Sequence, residues 1–321
     1  MGNSYISRFV KSLKDTGKIL PKNKPSRNPL LSLLHPRKWT DITIFNWYES
    51  IPDYKYGLLQ SLAAIVYVAL LKISRRKIVW VLHNKKSHAD GHGSLKLFMA
   101  KYIAYMSDLI ITHAQEGVEI IRKSYPSASG KVHYLDHPTI NRLSSTLNEN
   151  PVYDFLIWGN ITPYKGVAEF VSYLKMRHDF KPWVYIAGNC SDSHLRRQII
   201  QTSDNNIKLD LENISFDKLQ KLIANSRFVL IPYKSETVLS SGILMDSLSF
   251  GAKVIGPNTG SFRDYAKNPL LRVYCYDSFD DLQDFLLRHG DEAIVSSEYK
   301  YFLEDNDWQH FATRLLKLLG I

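Results

Sequence analysis

Residues Lys234–Tyr265 read KSETVLSSGILMDSLSFGAKVIGPNTGSFRDY. The spacing predicts a polar loop, a short helix opening at Ser240-Ser241-Gly242, a tight turn at Gly251, a strand over Lys253–Ile255 and a second glycine loop. A helix whose first turn is Ser-Ser-Gly offers unpaired backbone N–H groups, two hydroxyls and a positive dipole end, with no bulky side chain in the way. That is the local chemistry of a phosphate site. One turn on, Asp246 can project a carboxylate from the same helix, as a ribose-binding acid would. An ordinary serine-capped helix beside a buried strand would read the same way in isolation, so the rest of the chain has to decide.

A second loop of the same kind lies upstream. Gly159-Asn160-Ile161-Thr162-Pro163-Tyr164-Lys165-Gly166 follows a strand and opens a helix. Lys165 can meet a diphosphate as a point charge, and Gly166 lets the backbone come close. The spacing is not that of a P-loop, and no G-x-G-x-x-G fingerprint or G-x-S-x-G elbow occurs. Alone, Lys165 would read as a surface lysine at a helix start. Two such loops make a shared anion the better reading.

Short apolar, β-rich runs alternate with helical segments through both halves of the chain. Strands are expected at Asp41–Trp47, Lys77–Leu82, Asp108–Thr112 and Lys131–Leu135, and again at Tyr153–Trp158, Trp183–Ala187, Ile207–Leu211, Phe228–Ile231, Lys253–Ile255 and Leu271–Tyr274. This alternation implies parallel sheets flanked by helices. The division expected is a basic segment 1–40, a Rossmann-like domain 41–150 ending in a polar linker, a second domain 151–305 and a last helix within 306–321. In open parallel sheets ligands sit at the carboxyl ends of strands. The glycine loops, His83, His113 and His137 all fall at such ends, which points to a site in a cleft between the domains.

His83-Asn84 follows a buried strand, and His88 comes five residues later. A histidine there could bond a sugar hydroxyl or move a proton near neutral pH; otherwise it is an inert loop residue. A metal at His83, His88 and His92 with Asp90 is disfavoured, because no helix fixes an i,i+4 ligand pair. No metal or cofactor is expected.

With 321 residues, 45% of them hydrophobic, the chain can bury two cores. Two cysteines, Cys190 and Cys275, read as packed thiols rather than a disulfide. The net charge of +10 is uneven: residues 1–40 hold nine basic side chains against Asp15 alone, a net of +8. Ile6, Phe9, Val10 and Leu13 fall at helical spacing with Arg8, Lys11 and Lys14 opposite. Such a segment suits an anionic membrane surface; a solvated arm is the plain alternative. Nucleic acid is disfavoured, since the body lacks a basic stripe with interleaved aromatics. No secretory signal is read, and the apolar run Leu58–Ile73 is short for a membrane span and reads as a buried helix. A cytoplasmic protein attached peripherally to the inner face of the cell membrane is expected.

With these residues in place, the chain resembles a GT-B glycosyltransferase, of the family-four (group 1) kind that elongates bacterial surface glycans. The resemblance rests on WVLHN (Trp80–Asn84), WGNITPYKG (Trp158–Gly166), IPYKSE (Ile231–Glu236) and SGILMDSLSFGAKVIGPNTGSFRDY (Ser241–Tyr265). The terminal DWQHFATRLLKLL (Asp307–Leu319) resembles the helix that returns to the first domain in such proteins. It implies an α/β fold of two doubly wound Rossmann-like domains facing across a cleft. It also implies a UDP- or GDP-linked sugar held by the second domain and a glycan or lipid-linked acceptor met by the first. By resemblance, Lys165 contacts the diphosphate, Gly159, Asn160 and Gly166 line its loop, and Ser240, Ser241 and Gly242 present hydroxyls and N–H groups to it. Asp246 stands for the ribose-binding glutamate, and His83 lies beside the donor sugar.

Three departures stand out. Val238 occupies the place of a motif glutamate, with Glu236 two residues away. Asn160 replaces an arginine that usually accompanies the lysine. NWYESI (Asn46–Ile51) replaces a glycine-rich loop. The stereochemical outcome therefore stays open: an inverting enzyme would need a base, with Glu49, Asp53 or His88 as candidates, whereas in a retaining one the leaving phosphate can take the proton. No metal is required, since Lys165 and the helix N-terminus can carry the growing charge on the leaving group. A sugar-nucleotide epimerase of the same fold and an inactive sugar-nucleotide- or glycan-binding subunit are the competing readings.

Overall fold

A computed structural model describes residues 4–22, 39–85, 93–143, 151–236, 238–292 and 296–321. His88, most of the loop around it, residues 23–38 of the basic segment and 144–150 of the expected linker lie outside the described residues. The chain forms two compact units, residues 1–137 with 308–321, and residues 138–307.

In the first unit the strands are β1 Ile42–Asn46, β2 Lys77–Leu82, β3 Leu109–Thr112 and β4 Val132–Tyr134. They pair in parallel in the order β1-β2-β3-β4. Ile78 through Leu82 of β2 are all buried, so both faces of the sheet are covered, as a parallel sheet requires. The helices are α1 Ser4–Asp15, α2 Gly57–Ile73, α3 Gly93–Met106 and α4 Gln115–Ser124, with the chain end supplying a further helix, Trp308–Leu318.

Part of the apolar side of the N-terminal helix packs inside the unit. Phe9 and Leu13 are buried, and the Phe9 ring meets Phe311 of the terminal helix edge-on at 5.3 Å. Hydrophobic burial holds Phe9 and Leu13, while Ile6 and Val10 stay half-buried and Lys11 and Lys14 exposed. The Leu58–Ile73 run behaves in the opposite way. It forms α2 as expected, but only one side packs inward, through Ala63, Ala64, Val68 and Leu71. Leu58, Leu62 and Ile73 face outward, so the expectation of a buried helix fails for half of its circumference.

The second unit holds β5 Tyr153–Trp158, β6 Val184–Ala187, β7 Ile207–Asp210, β8 Ser226–Leu230, β9 Val254–Pro257 and β10 Val273–Tyr276. Its helices are α5 Val167–Met176, α6 Ser193–Thr202, α7 Phe216–Ala224, α8 Gly242–Ser249, α9 Gly260–Ala266, α10 Asp281–His289 and α11 Ser296–Asp305; the terminal helix of the first unit is α12. The all-parallel sheet has the order β10-β9-β8-β5-β6-β7. The order reverses between β5 and β8, the point where such sheets open a crevice beyond their carboxyl ends. Among the described strands of the first unit the order follows the chain without such a reversal. Two cores flank the second sheet, one including Leu156, Val229, Leu244 and Phe262, the other Phe155, Phe170, Ile186 and Phe228.

Candidate functional site

The loops leaving β5 and β8 meet at this reversal. After Trp158 the chain turns through Gly159 at φ 96°, runs to the single 3-10 turn Pro163–Lys165, and enters α5 through Gly166 at φ 67°. Both glycines are forced. A Cβ on Gly166 would stand 1.9 Å from the Pro232 carbonyl oxygen in the loop after β8, and its backbone is left-handed besides. A Cβ on Gly159 would lie 2.7 Å from Ile243 Cδ1 and 3.6 Å from Lys165 Nζ. Lys165 and the first turn of α8 therefore border the same glycine.

Lys165 is unusual for a lysine at a helix start. It is 8% exposed, and its ammonium lies over the Tyr233 ring at 5.7 Å. Burial lowers its pKa to about 8, with no carboxylate among the described residues offsetting the loss. It lines a recess at the reversal with Trp158, Gly159, Asn160, Pro232 and Tyr233, where Asn160 is exposed at the rim. A partly desolvated cation at the end of two strands favours an anion that brings its own charge.

Helix α8 starts at Gly242 with Ser241 as its cap: the buried Ser241 hydroxyl oxygen accepts the Leu244 N–H at 3.2 Å. The fold uses the oxygen to close the helix end and places the Tyr233 hydroxyl beside it. The backbone N–H groups of Gly242 and Ile243 precede that capped amide in the helix's first turn. Ser240 is half-buried just before the cap. Beneath α8, Gly260 at φ 52° lets the loop after β9 approach Leu239, whose carbonyl accepts the Ser261 N–H at 2.8 Å.

Asp246 lies on α8, and its Oδ1 accepts from Arg142 Nη1 at 3.0 Å. The same guanidinium donates to Ser249 Oγ and sits over the rings of Phe216 and Phe250 at 4.8 and 5.3 Å. Arg142 was not singled out in the sequence: it lies 104 positions from its partner, and no local pattern marks it. Val238, in the motif glutamate's place, is buried in the core, while Glu236 is exposed.

The remaining candidates belong to the first unit. His83 is buried at the end of β2, stacked on Trp47 at 4.3 Å, with Nε2 2.8 Å from Asn46 Oδ1. Tyr5 of α1 covers it with a ring 5.1 Å away, and the same tyrosine reaches His113 and His137 at the ends of β3 and β4. His113 Nδ1–H donates to the Leu135 carbonyl, so its Nε2 accepts from the Tyr5 hydroxyl at 2.8 Å. Burial, and then the neighbouring His137, lowers the His83 pKa to about 3, and His113 is lowered for the same reasons. The His83 and His113 imidazoles are neutral and packed against Tyr5 of α1. Glu49 is buried as well. Burial pushes its carboxyl up to about 7, only partly offset by its own N–H and the Trp80 indole. Asp53 is held by the buried Lys96 at 2.7 Å. Neither carboxylate is an open base as placed.

No family model and no curated protein matches the sequence. Solved structures match in fold. HepE of Anabaena, in complex with UDP and glucose, superposes with a TM-score of 0.65 at 13% identity, over 91% of this chain and 81% of that one. A glycosyltransferase from Rickettsia africae gives 0.59 at 14% identity, covering 99% of this chain and 87% of the other. The lipopolysaccharide outer core galactosyltransferase WaaB, in its apo form, gives 0.60 at 14%, with 100% and 82% covered. The two α/β units are those of the GT-B fold.

Proposed function

We propose that the chain is a glycosyltransferase that moves a hexose-type sugar from a nucleoside-diphosphate donor to a glycan or lipid-linked oligosaccharide acceptor of bacterial polysaccharide synthesis. The observation that carries this reading is the buried ammonium of Lys165 at the order reversal of the second sheet, bordering Gly159 together with the first turn of α8. A departing nucleoside diphosphate gains negative charge as the bond from anomeric carbon to phosphate breaks. In this reading Lys165 and the N-terminal amides of α8 would stabilise that charge without a metal. Solved neighbours of the same fold lend support, since HepE was captured with UDP and glucose.

In this reading Gly159, Asn160 and Gly166 shape the diphosphate loop, Ser240 and Gly242 face it, and Asp246, oriented by Arg142, takes the ribose hydroxyls. Ser241 serves as the cap that holds α8 in position. His83, as placed, is covered by Tyr5. Residues 1–40 would add a charge-based attraction to an anionic membrane surface on the cytoplasmic side. Because α1 buries Phe9 and Leu13, that attraction rests mainly on Lys11, Lys14 and their neighbours.

Val238 in the core, where the resembled motif has a glutamate, favours a second reading: a subunit that binds the nucleotide sugar without turning it over. Incubating the protein with UDP- and GDP-hexoses, with and without a panel of lipid-linked saccharides, separates the readings. Acceptor-dependent release of free nucleotide is expected. Conversion of the donor sugar without an acceptor would mean an epimerase, and tight binding with no release would mean the inactive subunit.

A further inference from the structure

Helices α2 and α3 of the first unit lie against each other, joined where the Tyr102 hydroxyl donates to the Ile65 carbonyl at 2.9 Å. Their outward faces are apolar. On α2, Leu58, Leu62, Val66, Leu70 and Ile73 follow one another by three or four residues and are between 37% and 77% exposed. On α3, Leu97, Phe98 and Tyr105 continue the face. Single exposed leucines are ordinary on a protein surface; eight large apolar side chains on two adjoining helices are a docking face.

The charges on the two helices themselves have one sign. The 17 residues of α2 and the 14 of α3 contain no acidic side chain. Lys101 is exposed among the apolar residues of α3, and Arg75 stands exposed just past the end of α2. Lys55 lies over the exposed Tyr56 ring at 5.3 Å, and Lys131 over the exposed Tyr105 ring at 5.9 Å. The nearby Asp108 is engaged by Lys72 and by the Ile78 N–H.

We infer that this face docks onto an anionic lipid surface. Leucine, isoleucine and phenylalanine side chains would enter the boundary between acyl chains and headgroups, while the lysines and tyrosines remain at headgroup level. Among the described residues no helix is long and apolar enough to cross a bilayer, so α2 and α3 lie on the surface. A second copy is the poorer occupant, because a two-fold contact would set each basic rim against its twin. The inference does not depend on sugar transfer: vesicle binding and nucleotide binding can be lost separately.

The test is co-sedimentation of the full chain with vesicles of phosphatidylcholine alone and of phosphatidylcholine with phosphatidylglycerol. Binding to the anionic vesicles is expected. It should fall by about tenfold or more in Leu62→Glu with Phe98→Glu, and only a few-fold in Lys11→Glu with Lys14→Glu on α1. The milder pair Leu62→Gln with Phe98→Gln is measured alongside, so that early melting of the glutamate variant leaves the question answerable. Undiminished binding by the folded α2/α3 variants, or loss only in the α1 variant, would overturn the inference and place the contact at residues 1–40. So would failure of the unmodified protein to bind any vesicle. A dimer that both α2/α3 variants dissolve, without vesicle binding, would give the face to a second copy.

Discussion

Lys165 is held in its charged form against the cost of burial, and that tension makes a pH prediction. With its pKa lowered to about 8, the free site loses its cation as pH rises past that value, whereas a bound diphosphate would restore the proton. Nucleotide affinity should therefore be flat below pH 8 and fall by up to about tenfold per pH unit above it. In Lys165→Arg the decline should vanish, because the guanidinium stays charged. Titrating a nucleoside diphosphate at pH 7 and pH 9 checks both. Glu49 tests the opposite sign. Its folded pKa of about 7 stands above the unfolded value, so the stability it supports is complete below about pH 4.5 and lost as pH rises through 7. Glu49→Gln should therefore gain on the unmodified protein by roughly 2–3 kcal/mol between pH 4 and pH 8, read as the difference between two urea melts. Lys165 was legible in the sequence because its loop joins a strand to a helix. Arg142 was not, since only the fold brings it to Asp246. Ser241 was legible as a helix start and cap, and its oxygen does accept the Leu244 N–H.

Among the elements, the strands were the most readable: β2 and β5 match their expected ranges, and the other strands end within a residue or two of theirs. Parallel strands buried on both faces write themselves as continuous apolar runs. Helices were readable as helices, but their partners were not. The apolar side of α1 was legible by periodicity, but not that Phe9 of it would pack on Phe311. Phe9→Ala should consequently cost about 3–5 kcal/mol of stability, as a core truncation does, while Lys11→Glu should stay within about 0.5 kcal/mol. A thermal melt of each variant decides. Equal small effects would contradict the packing described. Gly166→Ala tests the loop after β5 in the same way. A left-handed backbone and a carbonyl 1.9 Å from the added Cβ should lower stability by more than about 1–2 kcal/mol, with nucleotide affinity reduced as the loop is displaced.

At the scale of the molecule, two parallel α/β units follow from the strand and helix rhythm, and the order reversal between β5 and β8 follows from how those strands pair. The rhythm is local and was legible. The pairing order is not local, yet it is what brings the Gly159 and Ile231–Ser241 loops together, 70 or more positions apart in the chain. The candidate chemistry of the second unit therefore stands on topology as much as on motif. Its central claim is that this reversal holds a nucleoside diphosphate through Lys165. The most direct test is calorimetric titration of UDP and of GDP into the full chain and into Lys165→Gln at pH 7. The account predicts saturable binding of one of the two, weakened about tenfold or more in the variant, whose melting temperature stays close to that of the unmodified protein. Binding of equal strength in both proteins, or none of either nucleotide at millimolar concentration, would contradict it.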